Sequence, residues 1–193
     1  MKKLLITGFD PFDGQIINPS WEAVRLMPEI IGDFALCKLQ LPTCYGEAPR
    51  ILLEKATEIQ PDVIISVGQA GGRANVTPER IAVNIRDSKR ADNSGRICFG
   101  ERIDPEGDAA FFSTLPVEAM AEAICVVGLP GAVSNTAGTF VCNDVLYNAL
   151  RRFEGAKTLV GFIHVPYLPE QGEPNLPLAD TVRALNAAIE ALS

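Results

Sequence analysis

Chemistry that pairs an imidazole with a thiol has few participants to choose from in this chain, which holds one histidine and five cysteines. His164 closes the apolar run Leu159-Val160-Gly161-Phe162-Ile163 and precedes Val165-Pro166, at the carboxyl end of an expected strand. A lone histidine is often a partly buried structural residue, yet any imidazole general base here has to be this one. Cys142 follows the small, polar stretch Ser134-Asn135-Thr136-Ala137-Gly138-Thr139, then Phe140-Val141. From Cys142 onward, Val145, Leu146, Ala149, Leu150 and Phe153 mark one helical face. The spacing predicts a thiol at a helix N-terminus, where unpaired N–H groups and the dipole favour a thiolate. The same N–H groups could stabilise the oxyanion of an acyl-transfer intermediate. Cys37, Cys44, Cys98 and Cys125 lack that setting and read as small buried hydrophobes.

A Cys–His pair needs a third group to hold the imidazole tautomer. Glu79, in Val76-Thr77-Pro78-Glu79-Arg80, precedes an expected strand and so lies near an end of the sheet; Asp144 and Glu170 are rivals that spacing does not separate. Two stretches suit ligand binding. Gly68-Gln69-Ala70-Gly71-Gly72-Arg73 follows a buried strand but matches neither a dinucleotide fingerprint nor a phosphate loop. Thr7-Gly8-Phe9-Asp10-Pro11-Phe12 also follows a strand, and its aromatic rings could wall an apolar pocket or pack on the core.

The elements that must carry these residues alternate between strand and helix. Lys3 to Thr7, Phe34 to Leu41, Asp62 to Val67, Ile81 to Ile85, Ala132 to Ser134 and Thr158 to Val165 read as strands. Helices are expected from Asn18-Pro19, with Asn as N-cap and Pro at the first helical position, and over Gly46 to Ile59, Pro116 to Val127, Cys142 to Phe153 and Pro177 to Leu192. Arg86 to Pro105 lacks periodicity and reads as a long, functional loop. This order predicts an α/β fold, one domain over residues 1–193 with a mostly parallel twisted sheet between helical layers. Ligands in such folds sit beyond the carboxyl ends of the strands.

Composition narrows the partners. A domain of this size buries roughly 70% of its unfolded surface, and a net charge of −7 would repel nucleic acid and anionic lipid. Met1-Lys2-Lys3 leads into Leu4-Leu5-Ile6, too short for a signal-peptide core and better read as a first strand. No segment has the length of a membrane span. An odd number of cysteines without zinc-type spacing points to free thiols in a reducing compartment, hence the cytoplasm.

Several of these stretches together resemble the pyroglutamyl peptidase I family. The matching pieces are Thr7 to Phe12, Asn18-Pro19-Ser20-Trp21, Gly71-Gly72-Arg73, Thr77-Pro78-Glu79-Arg80, Phe112-Ser113-Thr114-Leu115-Pro116, Ser134 to Asn143 and His164-Val165-Pro166-Tyr167-Leu168-Pro169. They run in order through nearly the whole chain. The resemblance implies a three-layer α/β/α sandwich, a homotetramer or other homo-oligomer, no cofactor or metal, and pyroglutamyl peptides as substrates. It implies a catalytic triad of Glu79, Cys142 and His164, with Phe9, Phe12, Gln69 and Val141 around the pyroglutamyl group.

The chain departs from the family pattern at two places. Asp13-Gly14 stands where Gly-Gly is common, a mild change because Asp tolerates a left-handed backbone. Asp87-Ser88-Lys89-Arg90-Ala91-Asp92-Asn93 places Lys89 where the family has an active-site Arg, with Arg90 one residue off. Lysine keeps the charge and loses the bidentate fork. The alternatives to a peptidase are another thiol amidase or esterase, or a catalytically silent small-molecule binder on the same fold.

Overall fold

The protein is described from a computed structural model that covers residues 1–192. Strand β1 (Lys2–Phe9) starts the fold and becomes its centre. Helix α1 (Pro19–Leu26) follows, and the Asn18 side chain accepts from the Ser20 N–H at 3.1 Å, the cap expected from Asn-Pro. Strands β2 (Ile30–Ile31) and β3 (Phe34–Leu41), helix α2 (Glu47–Ile59) and strand β4 (Val63–Gln69) complete the first half. The chain continues through β5 (Thr77–Pro78), β6 (Ile81–Val83), β7 (Arg86–Ser88), β8 (Cys98–Glu101), β9 (Ala110–Phe112), α3 (Val117–Val126), α4 (Val141–Arg152), β10 (Leu159–Val165) and α5 (Leu178–Glu190).

The main sheet has the order β2-β3-β1-β4-β10-β5. The inner strands β3, β1, β4 and β10 are parallel, and the two-residue edges β2 and β5 pair antiparallel. Strong alternation sends neighbouring residues to opposite layers. Leu4, Ile6, Ile65 and Val165 join a core with α1, α3 and α5, whereas Leu5, Ile64, Val160 and Phe162 join a second core with α2 and α4. The expected three layers are therefore present. Each fully buried Leu, Ile or Phe contributes about 1.5–3 kcal/mol of burial.

Three readings of the sequence differ from the fold. The Ile81 to Ile85 strand is shorter and lies outside the main sheet, as β6 paired with β9. Arg86 to Pro105 is not irregular throughout, because β7 and β8 form an antiparallel ladder within it. Its mixed polar sequence hides strands that are held by tertiary bonds: Asp92 accepts from the Tyr45 N–H at 2.8 Å, and Asn93 donates to the Pro11 carbonyl at 2.9 Å. The short strand expected at Ala132 to Ser134 appears as isolated parallel bridges, Val76 with Gly131 and Glu79 with Ser134.

Candidate active site

Because the chain goes from β1 to β3 on one side and then to β4 on the other, the loops after β1 and β4 diverge and leave a crevice at the carboxyl edge of the sheet. A cavity of about 470 Å³ occupies it. Phe9 and Phe12 from the first loop, Gln69 and Arg73 from the second, and Cys142 and His164 line its walls. Phe140, Lys89 and Arg90 complete the rim.

His164 lies directly beside Gly68 in the parallel β10–β4 ladder, so both project to the face that carries α4. A Cβ built on Gly68 would stand 2.9 Å from the Cys142 sulfur and 2.7 Å from the Phe162 ring. The thiol and the imidazole therefore occupy adjacent places over the same sheet face, and the missing side chain at Gly68 makes the room. Cys142 is the second residue of α4, whose N-cap, Phe140, supplies no side-chain acceptor. The first N–H groups of the helix thus lie uncapped by any side chain beside the Cys142 thiol.

The histidine's partner is Glu79. His164 Nδ1 lies 2.7 Å from Glu79 Oε1, and both side chains are buried. Glu79 is brought there by its own N–H, which donates to the Phe162 carbonyl at 2.9 Å, and by its bridge to Ser134. Arg73 Nη1 reaches the same Oε1 at 2.7 Å. Burial opposes the charge of Glu79, but hydrogen bonding and charge from His164, with help from Ser134 and Arg73, hold its carboxyl below the usual range. An ionised Glu79 accepts from Nδ1–H, which leaves Nε2 as the free lone pair. The rival carboxylates are elsewhere. Asp144 is buried in an ion pair with Arg86 at 2.7 Å and also accepts from the Gly46 N–H, while Glu170 is exposed.

The thiol departs from expectation. Burial, reinforced by the charge of Glu79, pushes Cys142 up to about 12, against weaker lowering by Arg73 and by the cysteine's own N–H. A helix dipole contributes about 0.3–1 kcal/mol, too little to overcome that desolvation. Burial thus favours the uncharged thiol, and a base is needed to make Cys142 a nucleophile.

The pocket candidates are distributed unequally. Phe12 meets Phe140 at 5.9 Å between ring centroids, and Phe140 meets Tyr45 edge-on at 5.3 Å. Phe9 tilts against Phe162 at 6.3 Å. Gln69 borders the cavity, and its Oε1 accepts from Gln171 Nε2 at 2.9 Å. Val141 does not line the cavity with its side chain, which is fully buried in the core beside Val145, one helical turn on. Asp13 adopts φ 56°, followed by Gly14 at φ 74°, so the left-handed turn is kept without a Gly-Gly pair. Arg90 reaches Asp13 at 3.2 Å and lies 5.8 Å from the Phe12 ring centre, tying the aromatic loop to the hairpin. Sequence reasoning missed Phe140 as a wall and Arg73 as a partner of Glu79. The closeness of Phe140 to Cys142 was a usable signal for the first, and the second had none beyond its Gly-Gly-Arg turn.

The family model described as "Pyroglutamyl peptidase" matches residues 2–193. The chain belongs to the pyroglutamyl peptidase family. It is 48% identical over 197 residues to the pyrrolidone-carboxylate peptidase of Levilactobacillus brevis, covering 98% of this chain and 97% of that one. The crystal structure of Bacillus amyloliquefaciens pyroglutamyl peptidase I superposes with a TM-score of 0.95 at 43% identity, over 100% of this chain and 98% of that one. The pyrrolidone carboxyl peptidase of Thermococcus litoralis gives 0.94 at 35% identity, with 99% and 93% covered. Among the described residues, no group of three or more His, Cys, Asp or Glu side chains could hold a metal ion, and no helix is long and apolar enough to cross a membrane.

Proposed function

We propose that the protein hydrolyses the amide bond after an N-terminal pyroglutamyl residue, using Glu79, His164 and Cys142. The observation that carries this reading is the buried Glu79–His164 contact of 2.7 Å beside a cysteine at a helix start, beneath an aromatic-walled cavity. Nε2 of His164 takes the thiol proton as the sulfur attacks the pyroglutamyl carbonyl, forming the S–C bond. The N-terminal groups of α4 receive the oxyanion. As the C–N bond breaks, Nε2 returns the proton to the departing amine. Water then attacks the thioester, giving a proton to Nε2, and release of pyroglutamate restores the thiol.

The lactam ring is compact, with a polar edge. Phe9 and Phe12 cover its faces, and the groups of Gln69 left free by Gln171 meet that edge. Prolyl substrates lack the ring carbonyl and would leave a donor unpaired, which disfavours them by about 10⁴-fold. The test is fluorophore release from a pyroglutamyl amide by the wild type and by Cys142→Ser. Activity that disappears in the variant, with no turnover of the prolyl amide, is expected; activity surviving in Cys142→Ser overturns the nucleophile.

The five free cysteines suit a reducing compartment, and we place the enzyme in the cytoplasm. We also infer a homo-oligomer, on the resemblance to the family.

A further inference from the structure

Arg73 has no place in the acyl-transfer steps, yet its side chain is committed to the machinery behind them. Its Nη1 contacts Glu79 Oε1 at 2.7 Å, Thr77 Oγ1 at 3.1 Å and Ser134 Oγ at 3.2 Å, and its Nη2 donates to the Thr136 carbonyl at 2.9 Å. These partners come from β5, from the residue that follows it and from the segment leading into α4. One guanidinium therefore binds the orienting carboxylate to the approach of the nucleophile's helix. Glu79 Oε1 takes close contacts from both Arg73 and His164, and Ser134 lies beside the same carboxylate. A buried carboxylate that loses one of its partners is poorly held and prone to take up a proton.

We propose that Arg73 is a positioning residue, which holds the carboxylate of Glu79 against Nδ1 of His164 and so acts on the reaction through an imidazole it does not contact. The inference rests on the peptidase reading above. Four acceptors around one planar fork suit arginine and not lysine, whose single ammonium cannot span them. The charge also matters. Glu79 faces two basic groups, Arg73 from the loop after β4 and His164 from β10, while Cys142 of α4 feels both Glu79 and Arg73. Lys89 and Arg90 border the same cavity from the hairpin and do not pair with Glu79. Without Arg73, Glu79 is a desolvated carboxylate supported by His164 and Ser134 alone, and it protonates at higher pH.

The test compares Arg73→Met and Arg73→Lys with the wild type on a pyroglutamyl amide across pH. Arg73→Met is expected to lower kcat by about 10–100-fold with little change in KM, the scale for leaving a buried charged group unpaired. Its acidic limb of activity moves to higher pH, and added guanidinium restores part of kcat because Arg73 borders the open cavity. Arg73→Lys keeps the acidic limb near its wild-type position while losing part of kcat, and it decides the question by itself should the Met variant not fold. A rise in KM with an unmoved pH profile would make Arg73 a substrate contact and overturn the proposal. So would wild-type kinetics in Arg73→Met. An inactive wild type would sink the peptidase reading instead, which separates the two failures.

Discussion

Gly68→Ala is a one-carbon perturbation aimed at the point where the sheet and the proposed nucleophile, Cys142, meet. The backbone of Gly68 lies outside the left-handed region, so alanine causes no dihedral strain and the effect is purely steric. The new methyl would sit 2.7 and 2.8 Å from Phe162 ring carbons and 2.9 Å from the Cys142 sulfur. Ordinary contacts between carbon atoms lie near 3.5–4.0 Å, so something must retreat by roughly 0.7–1.2 Å. Phe162 has little freedom, being 1% exposed and packed against Phe9 and His164. The sulfur and the start of α4 therefore take much of the displacement. A nucleophile misplaced by about 1 Å costs roughly 10²-fold in rate, and overpacking costs about 1–3 kcal/mol of stability. For a protein of this size that lowers the melting midpoint by about 2–12 °C. The assay is kcat/KM on a pyroglutamyl amide at a temperature where the variant is folded, alongside thermal unfolding. Gly161→Ala serves as control, since its methyl would strike Leu115 Cδ1 at 2.3 Å and Ser113 Oγ at 2.7 Å. It should lose stability and leave the activity of the folded enzyme nearly unchanged. Wild-type kcat/KM in Gly68→Ala, or equal activity losses in the two variants, would refute the reasoning.

Glu79→Gln keeps the shape but removes the charge that selects Nδ1–H, so kcat is expected to fall by about 10²–10⁴-fold with a smaller effect on KM; activity within twofold of wild type would remove Glu79 from the mechanism. The elevated Cys142 thiol carries its proton throughout the neutral range, so thiolate grows as pH rises toward about 12. In His164→Asn, alkylation of Cys142 by iodoacetamide should therefore rise about tenfold per pH unit from 7 to 10. Levelling off between pH 9 and 10 would show an ordinary thiol and contradict the burial argument.

The sequence alone determined the helices and the central strands. Residues such as Val145, Leu146, Ala149 and Leu150 recur at helical spacing, and Val63 to Val67 is a nearly continuous apolar run, broken only by Ser66, of the kind buried on both faces. It also singled out Cys142 and His164, because the chain has one imidazole and one cysteine that joins a small-residue loop to a helix start. The hairpin of β7 and β8 stayed hidden, since its residues carry no period and its order comes from Asp92 and Asn93 reaching Tyr45 and Pro11. Likewise, a carboxylate's spacing along the chain says nothing of its distance from His164. Only the resemblance to the family named Glu79 over Asp144 and Glu170; in the fold, the pairing that sets the Glu79 N–H on the Phe162 carbonyl brings it to His164. The ionisation of Cys142 was likewise decided in three dimensions. A helix start favours the thiolate from local geometry, whereas the burial and the neighbouring Glu79 charge that outweigh it exist only once β4, β10 and α4 have packed together.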